Sequence, residues 1–182
     1  MVGSSPGGAL AQLPKPAPPG ATVVVIVRHA EKAAQPAADP PLTAAGVVRA
    51  RELAALLATA DVQAVIATQL IRSQETARPT AQAHNLPIET IVRRLPIAEH
   101  AREVANAVRR HPGKTVLVVG HGETVAAIVA ALGGPQLADL CGSDYSNLYT
   151  LILDGSSARF IRSTYGSPSP RQPEPGMPCP AP

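Results

Sequence analysis

Hydrophobic positions in the middle of the chain form short runs rich in Val and Ile, and these runs alternate with longer stretches in which apolar residues recur every three or four positions. Short β-branched runs predict buried strands, and the longer periodicity predicts amphipathic helices. Thr43 and Thr68 are expected to cap the first two helices. The predicted strands cover residues 22–27, 64–67, 87–90, 115–119, 148–153 and 158–163, and the predicted helices cover residues 43–58, 69–84, 99–110 and 123–132.

This alternation predicts one α/β domain, a three-layer α/β/α sandwich with a mostly parallel sheet. The last two runs, joined by Asp154-Gly155-Ser156-Ser157, are typical of a hairpin that adds an antiparallel edge. Residues 1–20 and 166–182 are rich in proline and poor in large apolar residues, so we expect a leader and a tail without a packed core. The folded domain is predicted at 21–165.

Composition narrows the classes of partner. The formal net charge is +3 and the basic residues are scattered, so nucleic-acid binding is not expected. The apolar runs fall short of the roughly 20 residues that a membrane-spanning helix needs. Cys141 and Cys179 show no metal-ligand spacing, and we expect them to be unlinked, because Cys179 lies in the proline-rich tail. Ala9-Leu10-Ala11 resembles the end of a removed export signal, which leaves a cytoplasmic and an exported location both open.

Two of the predicted parallel strands end abruptly at a histidine. Val25–Lys32 reads VIVRHAEK, and Leu117–Thr124 reads LVVGHGET. Polar residues that follow parallel strands meet at the carboxyl edge of an open sheet, where ligands bind. We therefore expect His29, with its neighbour Arg28, and His121 to lie close together. Arg72 is expected in the first turn of the helix after the second strand, at the same edge.

Arginines and histidines in this arrangement suit a phosphate dianion. Arginine holds two phosphate oxygens with its planar fork, and catalysis of phosphoryl transfer is mostly positioning and charge neutralisation. We expect Arg28, Arg72 and His121 to bind the oxygens, with Gly122 allowing a close backbone approach, while His29 attacks phosphorus. The alternatives are a partly buried structural histidine, a plain turn at His121, and a surface arginine at position 72 paired with Glu75 or Glu52.

The same residues carry a family resemblance. The chain resembles the histidine phosphatase superfamily, also called phosphoglycerate mutase-like, from Val23 to about Val129. Arg28-His29-Ala30 is similar to the family's Arg-His-Gly, with alanine in place of glycine. Leu42-Thr43-Ala44-Ala45-Gly46 is similar to its Leu-Thr-x-x-Gly, Arg72-Ser73-Gln74-Glu75-Thr76-Ala77 to its helix-borne arginine before Thr-Ala, and Gly120-His121 to its late Gly-His.

The resemblance implies a phosphatase that hydrolyses phosphate monoesters through a phosphohistidine on His29, with Arg28, Arg72 and His121 binding phosphate and without a cofactor. A carboxylic acid commonly protonates the leaving alcohol. Glu99 is the first candidate for this acid. Glu31 is the alternative, although it could instead orient His29 or pair with Lys32. Tyr145 and Asn147 could border the pocket, but ordinary packing before a strand is the favoured interpretation.

Other functions remain open at this point. A small phosphorylated substrate, a phosphoprotein, and a phosphate or sulfate ion in the pocket all suit the same residues. The alternatives are a protein-phosphohistidine phosphatase, a phosphoglycerate-type mutase and a phospho-ligand binding module that does not turn over. His29-Ala30-Glu31 and His121-Gly122-Glu123 could suggest a metal site, but the Pro-Cys-x-x-Cys and His-Glu-x-x-His patterns of zinc enzymes are missing from the sequence, so no metal is expected.

Overall fold

A computed structural model describes residues 20–169. Six strands and four helices follow one another in nearly strict alternation, as the hydrophobic pattern predicts. The strands are β1 (Thr22–Arg28), β2 (Val62–Ala67), β3 (Ile88–Thr90), β4 (Thr115–Gly120), β5 (Asn147–Asp154) and β6 (Ser157–Thr164), and the helices are α1 (Ala44–Leu56), α2 (Ile71–Ala83), α3 (Ile97–Arg109) and α4 (Val125–Ala131).

The strands form one mixed sheet in the order β3-β2-β4-β1-β5-β6. The first four of these are parallel to one another, β5 runs antiparallel to β1, and β6 pairs antiparallel with β5. The closing hairpin thus supplies the antiparallel edge. The predicted fold class, a three-layer sandwich with a mostly parallel sheet, is confirmed.

Each face of the sheet packs against a pair of helices. On one face, α1 and α2 contribute Leu53, Ala77 and Ala81 to a core with Val25, Val27 and other strand residues. On the other face, α3 and α4 contribute Val104, Val108 and Ile128 to a core with Val24 and Ile26. Central parallel strands that are covered on both faces need apolar residues at nearly every position. The uninterrupted Val and Ile runs satisfy that requirement without aromatic residues.

Helix starts show where local patterns succeed and where they fail. Thr43 caps α1 as expected, because its hydroxyl accepts from the Gly46 N–H at 3.1 Å. The predicted cap at Thr68 is wrong: α2 begins after Leu70, and the carboxylate of Asp39 accepts from the Ile71 N–H at 3.0 Å. An acidic side chain from a distant loop therefore replaces the local cap. Pro79 lies inside α2 without ending it.

The predicted leader and tail fall mostly outside the described residues, as does the signal-like Ala9–Ala11. Residues 166–169 are described, and Ser169 Oγ accepts from the Tyr145 N–H at 3.2 Å. Among residues 20–169, no helix has the length and apolar character needed to cross a membrane.

Candidate active site

The two histidines meet at the carboxyl edge of the sheet. β1 and β4 are hydrogen-bonded neighbours with Arg28 opposite Gly120, so His29 and His121 leave the sheet side by side. The His29 N–H donates to the Gly120 carbonyl at 2.9 Å, and the ring centroids lie 5.3 Å apart. The side chains are 3% and 1% exposed. The predicted convergence of the two sequence strings is therefore present in the structure.

The hydrogen bond of His29 fixes which nitrogen carries the proton. Nδ1 lies 2.8 Å from the Ala30 carbonyl oxygen, which can only accept, so Nδ1 is the donor. The lone pair of neutral His29 is therefore on Nε2. Burial holds the pKa of His29 well below its usual range, with smaller contributions from His121 and Arg28. A neutral imidazole with a defined lone pair is the form that can act as a nucleophile.

His121 is held through its other nitrogen. Nε2 lies 2.9 Å from the Thr68 hydroxyl, and the backbone N–H of His121 donates to the Thr124 hydroxyl at 2.8 Å. Nδ1 is buried and has no hydrogen-bond partner among the described residues. Burial, followed by the charge of Arg72 and then that of Arg93, holds the pKa of His121 well below its usual range. A buried polar atom without a partner points to a ligand that supplies one.

Arg28 is enclosed by a loop that follows α4. Its Nη1 donates to the carbonyl oxygens of Cys141, at 2.9 Å, and Gly142. Its guanidinium lies 4.1 Å from the centroid of the Tyr145 ring, which is itself 6.0 Å from the His29 ring. Tyr145 therefore packs before β5, as expected, and at the same time contacts Arg28 beside the candidate site. The expectation that Cys141 and Cys179 are unlinked is not tested, because Cys179 lies outside the described residues.

Arg72 lies in the first turn of α2, at the same edge. It forms an ion pair with Asp39 at 3.4 Å rather than with Glu75 or Glu52, the partners that a surface arginine would have here. Glu75 instead accepts from the Leu42 N–H at 2.8 Å. The Nε of Arg72 is buried without a partner among the described residues. Burial lowers the pKa of Arg72, and Asp39 opposes this effect.

Glu31 is committed to a salt bridge. Its carboxylate accepts from Arg49 Nε at 2.9 Å and from Nη2 at 2.7 Å, and the Arg49 side chain is only 4% exposed. The carboxylate thus pairs with Arg49 and not with Lys32, which was one of the alternatives that the sequence left open. The backbones of α1 and of the loop at Glu31 are also in close contact, because a Cβ at Gly46 would collide with the Glu31 carbonyl oxygen. The glycine of the Leu-Thr-x-x-Gly string is therefore needed for the close approach of α1 to the His29 loop.

Three other residues named from the sequence differ in their surroundings. Glu99 is in the first turn of α3 and is exposed. Gly122 follows His121, and its carbonyl accepts from the Leu140 N–H at 3.1 Å. Asn147 faces β6 and accepts from Arg162 at 2.9 Å, away from any role in the pocket.

The sequence analysis did not predict an ion pair that lies close to His121. Arg93 Nη2 lies 2.7 Å from a carboxylate oxygen of Glu123, two residues after His121. The charge of Arg93 also contributes to the lowered pKa of His121. The position of Glu123 directly after Gly122 could have suggested it, whereas nothing in the sequence around Arg93 marks that residue.

Taken together, these groups form a cationic cluster at the carboxyl edge of the sheet. The charges of Arg28 and Arg72 act on His29, which lies beside His121 with its unpartnered Nδ1. Guanidinium groups suit the oxygens of a phosphoryl group, and the Nε2 lone pair of His29 suits its phosphorus.

Comparison with known proteins agrees with this chemistry. Residues 24–93 match the histidine phosphatase superfamily (branch 1). The structure of the protein histidine phosphatase SixA in complex with tungstate is similar, with a TM-score of 0.60 and 22% identity, covering 78% of this chain and 96% of that one. The mycobacterial glucosyl-3-phosphoglycerate phosphatase is similar with a TM-score of 0.61 and 18% identity, covering 80% and 98%. At these identities the two structures establish a shared fold.

One curated relative matches over a shorter stretch. An uncharacterized protein of Mycobacterium tuberculosis strain H37Rv is 49% identical over 49 residues. The match covers 27% of this chain and 24% of that protein, so it spans about a quarter of the relative's length.

Proposed function

We propose that this chain is a metal-independent phosphatase that hydrolyses phosphate monoesters through a phosphohistidine on His29, in keeping with the match of residues 24–93 to the histidine phosphatase superfamily. One observation supports this assignment above the others. His29 has its Nδ1 bonded to the Ala30 carbonyl, which leaves the Nε2 lone pair beside His121 and within reach of the charges of Arg28 and Arg72. We infer that a nucleophile and anion-binding groups meet at this edge of the sheet.

The reaction has two balanced steps. Arg28, Arg72 and Nδ1–H of His121 bind the phosphoryl oxygens, and the Thr68 hydroxyl donates to Nε2 of His121 to keep the proton on Nδ1. Nε2 of His29 forms a bond to phosphorus while the ester P–O bond breaks, and the leaving oxygen takes up a proton. Water then forms a P–O bond as the P–N bond breaks, releasing inorganic phosphate and neutral His29.

We propose Glu99 as the donor of the proton to the leaving oxygen. It lies at the start of α3, which follows β3 at the carboxyl edge, and its exposed side chain is not held by an ion pair among the described residues. Glu31 is a weaker candidate, because both of its carboxylate oxygens already accept hydrogen bonds from Arg49.

The leaving group provides the test of Glu99. An alkoxide needs a proton as it departs, whereas an aryloxide departs without one. We expect Glu99→Gln to slow the hydrolysis of an alkyl phosphate by about 10²-fold while it changes aryl phosphate hydrolysis little. Glu103→Gln, one turn later on α3 in a weak pair with Arg94, is the matched control. Equal rates for Glu99→Gln and wild type on the alkyl ester would rule out this role.

A second candidate function is the hydrolysis of protein phosphohistidine. The carboxylates of Asp39, Glu123 and Glu31 are each held by an arginine, at Arg72, Arg93 and Arg49 respectively. Each of these carboxylates is already engaged by its arginine, so none of them is free to reach a leaving oxygen. A phosphoramidate has a better leaving group than an alkyl ester and depends less on an acid. The structural likeness to SixA supports this candidate further.

The decisive experiment measures aryl phosphate hydrolysis with EDTA present, for wild type, His29→Ala and His84→Ala. His84 lies at the end of α2 and bonds to the Leu57 carbonyl, so it controls for the loss of a histidine elsewhere. We expect activity in wild type and His84→Ala, and none in His29→Ala. Activity that EDTA removes, or that survives in His29→Ala, would overturn the proposal. The same three proteins assayed on phosphohistidine protein would rank the two substrates.

A further inference from the structure

The hydroxyl of Thr76 connects two parts of the pocket that are distant in sequence. Thr76 lies in α2, one turn after Arg72, and its side chain is fully buried. Its Oγ1 donates to the Arg72 carbonyl at 2.7 Å and accepts from the Ala30 N–H at 2.9 Å. The first bond is the usual one for a threonine inside a helix. The second reaches the residue that follows His29.

Ala30 is the residue that orients the nucleophile. Its carbonyl accepts from Nδ1 of His29 at 2.8 Å, and its N–H is the group that Thr76 holds. Ala30 is itself completely buried, so its N–H has no access to water if the threonine oxygen is removed. The orientation of the His29 ring therefore depends on a bond to the helix that carries Arg72.

We propose that Thr76 is a positioning residue that locks the nucleophile His29 to the anion-binding helix α2. Its single oxygen fixes Ala30, Ala30 fixes the tautomer and direction of the His29 ring, and the same oxygen is bonded to the backbone of Arg72. This inference rests on the proposed function, since it assigns His29 as nucleophile and Arg72 as an oxygen-binding group.

Thr80 provides an internal control for a purely structural role. It lies one turn further along α2 and is equally buried, but its hydroxyl has no partner among the described residues. If Thr76 only filled space in the helix interface, replacing either threonine with the isosteric valine would have the same consequence. If Thr76 positions the nucleophile, only its own replacement affects catalysis.

The experiment compares Thr76→Val, Thr76→Ser and Thr80→Val by kcat and KM for an aryl phosphate. We expect kcat of Thr76→Val to fall by about 10- to 100-fold, since misplacing a reacting group by about 1 Å has an effect of that size. KM should change less, because Arg28, Arg72 and His121 remain. Thr76→Ser should recover most of the rate, and Thr80→Val should match wild type. Circular dichroism confirms that each variant is folded, and Thr76→Ala replaces Thr76→Val if the valine variant is not.

A second measurement does not depend on turnover. Nitrogen NMR of ¹⁵N-histidine-labelled protein reports which ring nitrogen of His29 carries the proton. We expect the Nδ1-protonated tautomer in wild type, Thr76→Ser and Thr80→Val, and a mixture of tautomers in Thr76→Val. An inactive wild type with this NMR pattern would reject the proposed function alone. Thr76→Val that equals Thr80→Val in both rate and tautomer would overturn the role of Thr76.

Discussion

The loops that carry His29 and His121 occupy equivalent places, yet their histidines are held by opposite nitrogens. Both loops follow neighbouring parallel strands, and both rings are buried. His29 is fixed through Nδ1 by the carbonyl of Ala30, whereas His121 is fixed through Nε2 by the hydroxyl of Thr68. The nitrogen without a hydrogen bond among the described residues is therefore Nε2 in the first case and Nδ1 in the second.

This difference suits the two histidines to different proposed roles, attack on phosphorus and binding of a phosphate oxygen, which their equivalent positions in the fold do not distinguish. A carbonyl accepts only, so it forces the proton onto Nδ1 of His29 and leaves a lone pair for attack. A hydroxyl can donate, so it allows His121 to keep its proton on Nδ1 and offer it to a phosphate oxygen. In the proposed mechanism, the hydrogen-bond partner of each ring, rather than its position in the sheet, distinguishes the nucleophile from the phosphate ligand.

The largest expected effect is the loss of the covalent intermediate. Enzyme is mixed with ³²P-labelled substrate and then denatured rapidly without acid. We expect wild type and His121→Asn to carry covalently bound label, and His29→Ala to carry no label. Phosphoramidates survive alkali and break down in acid, which identifies the bond. Label on His29→Ala would show that the two histidines have been assigned to the wrong roles.

The sequence predicts a feature of these two loops well when the residues that form it are close together in the chain, and poorly when they are far apart. The strands, the helices and the meeting of His29 with His121 follow from hydrophobic periodicity and from the rule that parallel strands end at one edge. Thr43 is also predicted correctly as a cap, because its acceptor role depends on the next three residues only.

The partners that specify the chemistry come from distant segments and were not predicted. Thr68 was expected to cap α2, but it pairs with His121 instead. Tyr145 packs before a strand as expected, but its contact with Arg28 was not predicted. Asp39 carries no local signal at all. Each of these side chains can form either a local contact or a contact with a distant segment. Which contact forms depends on the position of the distant segment in the folded protein.

Removal of an oxygen-binding arginine should have the next largest effect. Arg72→Ala should reduce kcat/KM for an aryl phosphate by about 10²-fold or more, as loss of a strong transition-state donor does. Arg78→Ala, exposed on the same helix, should have wild-type kinetics. Steady-state rates over a range of substrate concentrations check this expectation. An Arg72→Ala enzyme within threefold of Arg78→Ala would place the anion elsewhere.

A smaller effect is expected for the partner of His121. Thr68→Val removes the hydroxyl that contacts Nε2 of His121. The ring proton of His121 is then no longer kept on Nδ1, from which it would be donated to a phosphate oxygen. We expect inhibition by inorganic phosphate to weaken by about 10-fold, which corresponds to one ordinary hydrogen bond of roughly 1.4 kcal/mol. Thr68→Ser should restore the inhibition constant. The ¹⁵N signals of His29 should not change in either variant, and a change there would mean that the two rings are not held independently.

The smallest effect is a pH dependence of stability that both histidines share. Their pKa values are held well below the usual range, mainly by burial. Below about pH 6.5 the unfolded chain therefore binds protons that the folded protein does not, and stability falls as the pH decreases. At pH 5.5 each histidine should contribute about 1 kcal/mol of destabilisation relative to pH 7.5, roughly 2–4 °C in Tm.

Variants separate this contribution from the acid effect on other groups. The Tm difference between pH 7.5 and pH 5.5 should be smaller in His29→Asn and in His121→Asn than in wild type, because each variant lacks one group whose pKa changes on folding. His84→Asn should retain the wild-type difference. Scanning calorimetry at the two pH values measures all four proteins. An equal Tm difference in all four proteins would mean that the buried rings take up protons in the folded state. The lone pair on Nε2 of His29 would then be lost in mild acid, and catalysis would decline with it.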